Sequence, residues 1–160
     1  MNRFFIIYLF LFPYLSNAQA EEQTQLAKFT ITDAKNDGVD ITPTIMEAGA
    51  YTVFYTIAND DYIYMANVWP NMDSQSFGPM YAVEFEELEE SKDNFEADFF
   101  TFNWSYTNSY DGITGTATVH VTKVYKPQGV AFTIKIIPED LEVIVYKGYM
   151  DGTIDFSVYD

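Results

Sequence analysis

The chain has 160 residues, of which 48% are hydrophobic and 18% aromatic, and this composition excludes an intrinsically disordered protein. Its 24 acidic residues outnumber eight basic ones, so the net charge is −16, which disfavours binding to nucleic acid or to anionic membranes. The absence of cysteine and the presence of a single histidine exclude disulfides, a cysteine-linked lipid anchor, the usual zinc sites and Cys–His nucleophiles.

The first twenty residues have the pattern of a secretory signal peptide. Arg3 gives a basic start, Phe4–Leu15 is apolar, and either Ser16-Asn17-Ala18 or Ala18-Gln19-Ala20 is typical of a cleavage site. Pro13 and the polar Ser16-Asn17 end the apolar run before the roughly 20 residues that a membrane span needs. We therefore expect an exported protein, periplasmic or secreted from a bacterium, with a signal peptide at 1–20 and one all-β domain at 21–160.

Alternating apolar residues, separated by turn residues, predict nine strands in that domain. They are expected at Leu26–Thr32, Tyr51–Ala58, Tyr62–Trp69, Met80–Leu88, Phe95–Thr107, Ile113–Tyr125, Val130–Ile137, Leu141–Tyr149 and Thr153–Tyr159. The separators are short, so neighbouring strands should be antiparallel and the chain should form an up-and-down meander of eight or nine strands.

Closing such a meander into a barrel removes both of its exposed edges. The prediction is a closed barrel that resembles lipocalins in shape, with a two-sheet β-sandwich as the alternative. The Gly-x-Trp signature of lipocalins is missing, because Asn67 and Phe102 stand two residues before the two tryptophans. The resemblance therefore concerns shape alone and implies no function.

Two segments carry helical signals. Thr42–Gly49 combines a capping threonine, an early proline and a terminal glycine, and it predicts one or two helical turns. Glu84–Phe95 has apolar residues near helical spacing, but it alternates equally well, and a long acidic hairpin is the preferred interpretation.

The stretch Phe99–Tyr125 predicts a hairpin around Asp111-Gly112. With a two-residue loop, Tyr106 would pair with Ala117 and Trp104 with Val119. One face of the hairpin is then aromatic and apolar, and the other is polar, carrying Asn103 beside His120. Gly115 and Ala117 on the ring face would leave room for large neighbours or for a ligand.

A second Asp-Gly pair, at Asp151-Gly152, predicts a final hairpin between Leu141–Tyr149 and Thr153–Tyr159. This hairpin would close the barrel against Leu26–Thr32 or Tyr51–Ala58. Its apolar face would include Val145 and Tyr149, and Lys147 does not fit there, so a bulge is expected at Gly148.

The rings are expected to point into the barrel, where several tyrosines would place polar tips in an otherwise apolar space. The sequence therefore favours a non-enzymatic protein that holds a small apolar or aromatic ligand. Its predicted wall residues are Trp104, Phe102, Tyr106, Tyr64 and Phe132.

Two other functional classes stay open at this point. The negative charge and the acidic hairpin favour an envelope or secreted interaction module, such as an inhibitor, with a cationic protein partner. A small outer-membrane barrel would also have outward rings, but acidic residues interrupt any apolar belt, so no stable membrane insertion is expected.

No catalytic, cofactor or metal site is predicted. His120 is expected on a wet strand face, and Asp33–Gly38 resembles a calcium loop only at three positions, because Lys35 occupies a ligand position. We interpret that segment as a turn and the protein as having no enzymatic activity.

Overall fold

The computed structural model describes residues 22–88, 97–126, 129–152 and Ile154. The predicted signal peptide, the tip of the acidic hairpin and, apart from Ile154, the predicted strand Thr153–Tyr159 lie outside these residues. The elements are β1 (Gln23–Asn36), β2 (Val39–Asp40), α1 (Thr42–Ala48), β3 (Tyr51–Ile57), β4 (Ile63–Trp69), a 3₁₀ turn (Pro70–Met72), β5 (Ser74–Leu88), β6 (Ala97–Asn108), β7 (Thr114–Lys126), β8 (Gly129–Pro138) and β9 (Ile144–Gly152).

The strands form a closed antiparallel barrel, which confirms the predicted fold class. β1 and β3 to β9 pair in chain order, and β9 returns to pair with β1. The short β2 adds to the end of β1 through the turn Asp37-Gly38, where both residues have positive φ. Of the segment Asp33–Gly38, interpreted above as a turn, only Asp37-Gly38 forms the turn, because Asp33–Asn36 belong to β1.

Helix α1 covers one end of the barrel. Ile45 and Ala48 are fully buried against the core, and Gly49 ends the helix in the left-handed conformation with φ of 65°. The helix confirms the prediction, but its capping differs in detail. The Asp40 carboxylate accepts the Thr42 N–H at 2.9 Å, while the Thr42 hydroxyl accepts the Ala34 N–H.

The hairpin of β6 and β7 has the predicted faces but not the predicted register. Trp104 pairs with Ala117 and Tyr106 with Gly115, an offset of two residues that preserves which face each side chain occupies. The loop is longer than two residues because the Asn108 carbonyl accepts the Gly112 N–H, and its side chain accepts the Tyr110 N–H. His120 consequently lies opposite Thr101, 2.9 Å from its hydroxyl.

The ring face of this hairpin points inward, as predicted. Phe102 and Trp104 are buried in a continuous core with apolar side chains from all the long strands, while Thr101 and His120 lie on the outer face. An eight-stranded barrel is just wide enough for its own side chains to fill it. Most of the interior here is filled in that way.

The closing seam differs from the predicted final hairpin. Asp151 and Gly152 continue β9 and pair with Lys28 and Ala27, so they do not form a turn. The inward residues of β9 are Ile144, Tyr146, Gly148 and Met150, which places Val145, Lys147 and Tyr149 on the outer face. The predicted apolar face of this strand was therefore wrong by one residue.

The irregularity at this seam lies in β1, opposite the predicted position. Thr32 is the extra residue between the pairs that Ile31 and Asp33 make with β9, and its hydroxyl donates to the Lys147 carbonyl. Gly148 serves a different purpose from the predicted bulge. A Cβ at Gly148 would lie 1.9 Å from the Thr30 carbonyl oxygen, so only glycine allows the two strands to approach.

A buried polar network crosses the interior. The Thr52 hydroxyl donates to the Asn67 side-chain oxygen at 3.0 Å, and the Asn67 amide donates to the Tyr146 hydroxyl at 3.0 Å. The phenol of Tyr146 is fully buried, and burial raises its pKa despite hydrogen bonds from Asn67 and Trp69. These bonds join β3, β4 and β9 through side chains.

Replacing Tyr146 with Phe should destabilise the fold by about 1–3 kcal/mol, since it leaves the buried Asn67 amide without its acceptor. The matched control is Tyr149→Phe, on the outer face of the same strand, which should change stability by less than about 0.5 kcal/mol. Equilibrium denaturation measures both. Equal losses would contradict a structural role for the network.

Tyr146 should also make stability fall in alkali. Because its folded pKa is raised above 10.0, its contribution is fully present below that pH and is lost as pH rises toward the folded value. Denaturation at several alkaline pH values should show a steeper loss in wild type than in Tyr146→Phe. Identical slopes would exclude a raised Tyr146 pKa.

Candidate functional site: a gap in the barrel wall

The wall of the barrel opens between β4 and β5. Their ladder runs from Trp69 and Ser74 to Tyr64 and Pro79. Within the described residues, β5 beyond Pro79 pairs only with β6, and it continues to Leu88. Backbone groups of β5 that face β4 in this stretch therefore lack a strand partner and border an opening.

A bulge bends β5 at this opening. Ala82 and Val83 lie between the pairs Tyr81–Asn103 and Glu84–Thr101, so β5 carries one extra residue relative to β6. Ala82 has φ of 51°, the left-handed conformation that glycine normally supplies in this type of bulge. The bulge reverses the inward alternation, so that Met80 and Val83 both face the interior and both are buried.

A cleft of about 200 Å³ occupies the opening. Its floor is apolar and consists of the buried side chains Ile63, Met80 and Val83. Its rim consists of Tyr62, which is 53% exposed, and Tyr81, which is 38% exposed, together with Asp61 and Ala82. The cleft thus combines an apolar interior with two rings and one carboxylate at the surface.

The loop before β4 is held by hydrogen bonds from one side chain. The Asp60 carboxylate accepts the Tyr62 N–H at 3.0 Å and the Tyr64 hydroxyl at 2.6 Å. The bond from Tyr64 is the main reason that the pKa of Asp60 is lowered, with the Tyr62 N–H second. Asp60 therefore stays ionised and fixes the backbone from which Asp61 and Tyr62 reach the cleft.

Trp104 does not line the cleft, but it lies next to one of its floor residues in the sheet. It is the cross-strand partner of Met80, and both side chains face inward. The indole is only 2% exposed, and its Nε1–H has no hydrogen-bond partner in the described part of the chain. A buried donor without an acceptor costs free energy, so an acceptor that reached this group would stabilise the protein.

Three of the predicted wall residues lie along the inner face of β6. Trp104 pairs with Met80 in the floor of the cleft, while Phe102 is fully buried in the core. Tyr106 packs its ring on Trp104, with centroids 4.8 Å apart, and fills the space above Gly115, so that space holds a neighbouring side chain of the protein itself. Burial, followed by the charge of Asp140, raises the pKa of the Tyr106 phenol.

The other two predicted wall residues lie elsewhere. Tyr64 is on the outer face of β4, stacked on Tyr55 with centroids 5.5 Å apart, so the inward position predicted for it was wrong. Phe132 faces the interior from β8, where its strand neighbour is Lys123. None of the five predicted residues lines the cleft, and Trp104 is related to it only as the cross-strand partner of the floor residue Met80.

A second polar group lies near the open end of the barrel, away from α1. The Lys123 ammonium is 3.6 Å from the Asp98 carboxylate and 4.6 Å from the centre of the Tyr125 ring. The Tyr125 hydroxyl donates to the same carboxylate at 2.8 Å. Burial lowers the pKa of Lys123, but Tyr125 and Asp98 outweigh it, so the net shift is upward and the ammonium is retained.

Sequence reasoning missed the cleft, although one signal pointed to it. Proline is confined to strand edges because it cannot donate a ladder hydrogen bond. Pro79 therefore marks where β5 loses its partner β4. No comparable signal identifies Ala82, since alanine rarely adopts positive φ.

Comparison with known protein families, characterised proteins and solved structures gave no match for this chain. Among the described residues, no group of three or more His, Asp or Glu side chains is arranged to hold a metal ion. The same part of the chain contains no helix with the length and apolar character to span a membrane.

Replacing Ala82 with Gly should stabilise the protein by about 0.5–1 kcal/mol, because left-handed backbone costs alanine roughly 1–2 kcal/mol and glycine's extra unfolded-state entropy offsets part of that gain. Ala66→Gly, in the regular part of β4, is the control and should destabilise. Denaturation midpoints compare the two. A loss of stability in both variants would exclude strain at Ala82.

Proposed function

We propose that this protein is an exported, non-enzymatic binding protein that takes a small apolar or aromatic molecule into the gap between β4 and β5. The observation that carries the proposal is the cleft of about 200 Å³ whose floor is Ile63, Met80 and Val83. A dry apolar cavity of about 150 Å³ is large enough for benzene. The cleft therefore suits one ring or a short acyl chain.

The surroundings of the cleft support a ligand that enters from the side. The barrel centre is packed, with Phe102, Val119 and Ile134 fully or almost fully buried in one core cluster. Met80 is the most adaptable side chain of the floor, because methionine is unbranched and has several rotatable bonds. A small movement of Met80 would extend the cleft toward Trp104.

Trp104 supplies the polar element that small-molecule sites commonly contain. Such sites combine apolar walls with a few polar groups that fix the orientation of the ligand. The indole Nε1–H is buried and lacks an acceptor among the described residues. A ligand carbonyl, ether or hydroxyl oxygen beside Met80 would accept it and remove the free-energy cost of that unpaired donor.

The outer face supports a barrel that is exposed to water. The outward positions of β6, β7 and β8 include the polar residues Thr101, Asn103, His120 and Lys135. A barrel that faces lipid would present apolar residues at these positions. The alternative of an acidic interaction module rests on the negative charge of the chain and on the hairpin around Glu84–Asp98, whose tip lies outside the described residues. The cleft therefore provides the stronger basis for a function.

We expect phenol, indole, hexanol or hexanoate to bind, as measured by calorimetry, and the non-fluorescent hexanol and hexanoate to change the tryptophan fluorescence of the protein. Val83→Phe places a ring in the floor of the cleft and should weaken binding at least about tenfold, as expected when a ligand loses its apolar volume. Val130→Phe, at an exposed position in β8, is the control and should bind normally.

Trp104→Phe provides a second readout if Val83→Phe folds poorly. The substitution removes the unpaired donor and keeps an aromatic ring. The affinity for probes that carry an oxygen acceptor should therefore fall about three- to tenfold, as expected for the loss of one hydrogen bond. A wild-type protein that binds none of the probes would overturn the proposed function. Unchanged affinity in a folded Val83→Phe variant would show that the probes bind outside the cleft.

A further inference from the structure

The strands that frame the cleft carry negative charge only. Between Asn36 and Ser91 the chain has no Lys, Arg or His, while its acidic residues are Asp37, Asp40, Glu47, Asp60, Asp61, Asp73, Glu84, Glu86, Glu87, Glu89 and Glu90. The lysines all belong to the chain before and after this segment. A cleft in such a region concentrates cations through its electrostatic potential.

The rim of the cleft provides the groups that recognise an organic cation. Tyr62 and Tyr81 are exposed aromatic rings, whose negative faces attract ammonium groups. Asp61 adds a carboxylate at the same rim. None of the residues that line the cleft is cationic, so no side chain of the lining neutralises these groups.

Elsewhere in this protein, lysine ammonium groups lie against tyrosine rings and an aspartate carboxylate. Near the open end of the barrel, the Lys123 ammonium lies between the Asp98 carboxylate and the Tyr125 ring. On the outer face, the Lys28 ammonium lies 4.1 Å from the centre of the Tyr51 ring. The cleft has the same kinds of partner, tyrosine and aspartate, without a lysine.

We propose that the cleft binds a small organic cation, a protonated amine or quaternary ammonium group attached to an apolar body. The cationic group lies at the rim against Tyr62, Tyr81 and Asp61, and the apolar body lies on the floor. This inference rests on the proposed function and narrows its ligand class. The expected ligand is then an apolar molecule with a positive charge at one end, and no longer any small apolar or aromatic molecule.

The test compares ligands of nearly equal shape and different charge. Benzyltrimethylammonium and benzylamine are the cations, benzyl alcohol is the neutral probe, and benzoate is the anion, all titrated by calorimetry into the full-length protein. The cations should bind about tenfold more tightly than benzyl alcohol, the combined effect expected of two ring contacts and one exposed carboxylate. Benzoate should bind most weakly.

Asp61→Asn and Tyr81→Leu should each reduce the preference for cations, measured as the ratio of benzylamine affinity to benzyl alcohol affinity, about three- to fivefold. Asp73→Asn removes the same charge from an exposed turn outside the cleft, and Tyr110→Leu removes a ring that is 76% exposed in the β6–β7 loop. Both controls should keep the wild-type preference.

The outcomes separate the two proposals. If benzyl alcohol binds as tightly as the cations, the inference fails and the proposed function stands. If no probe binds, both fail. If Asp61→Asn and Asp73→Asn lower cation affinity equally, the preference reflects overall charge, and its assignment to the rim of the cleft is overturned.

Discussion

The closing ladder between β1 and β9 is the constraint on which the rest of the structure depends. β1 pairs along one side with β3 and along the other with β9, so neither end strand of the meander stays exposed. Closure requires a close approach, which Gly148 allows, and a change of alternation, which the extra residue Thr32 provides. Once the ladder is closed, the interior has a fixed width that side chains must fill.

Filling that interior explains why the polar network and the cleft both exist. Tyr146 reaches across the barrel, and its buried hydroxyl is tolerated only because Asn67 meets it. The packed centre leaves little space for a ligand, and open space remains where the wall itself is incomplete. The bulge at Ala82 and the end of the β4–β5 ladder at Pro79 produce that gap together.

The aromatic residues of the strands did not by themselves identify the residues that line the cleft. Alternation correctly predicted that Phe102 and Trp104 face inward, because a strand has a period of two wherever its ladder is regular. It failed for Tyr64, whose outward position is fixed by the inward Ile63 and Met65 beside it. Tyrosine on the outer face of a sheet stacks with a neighbour as readily as tyrosine inside, so residue type alone could not separate the two.

The sequence by itself determined the strand order, the helix at Thr42–Gly49 and the inward side of β6 and β7. These features follow from local alternation and turn chemistry, which a two-residue slip in register leaves intact. Only the tertiary structure decided the faces of β9 and the place where the wall opens. Both depend on bulges, one at Thr32 in β1 and one at Ala82 in β5. A bulge adds one residue to a strand relative to its partner, so its position depends on how the two strands pair and bend. The local alternation of apolar and polar residues does not encode that pairing.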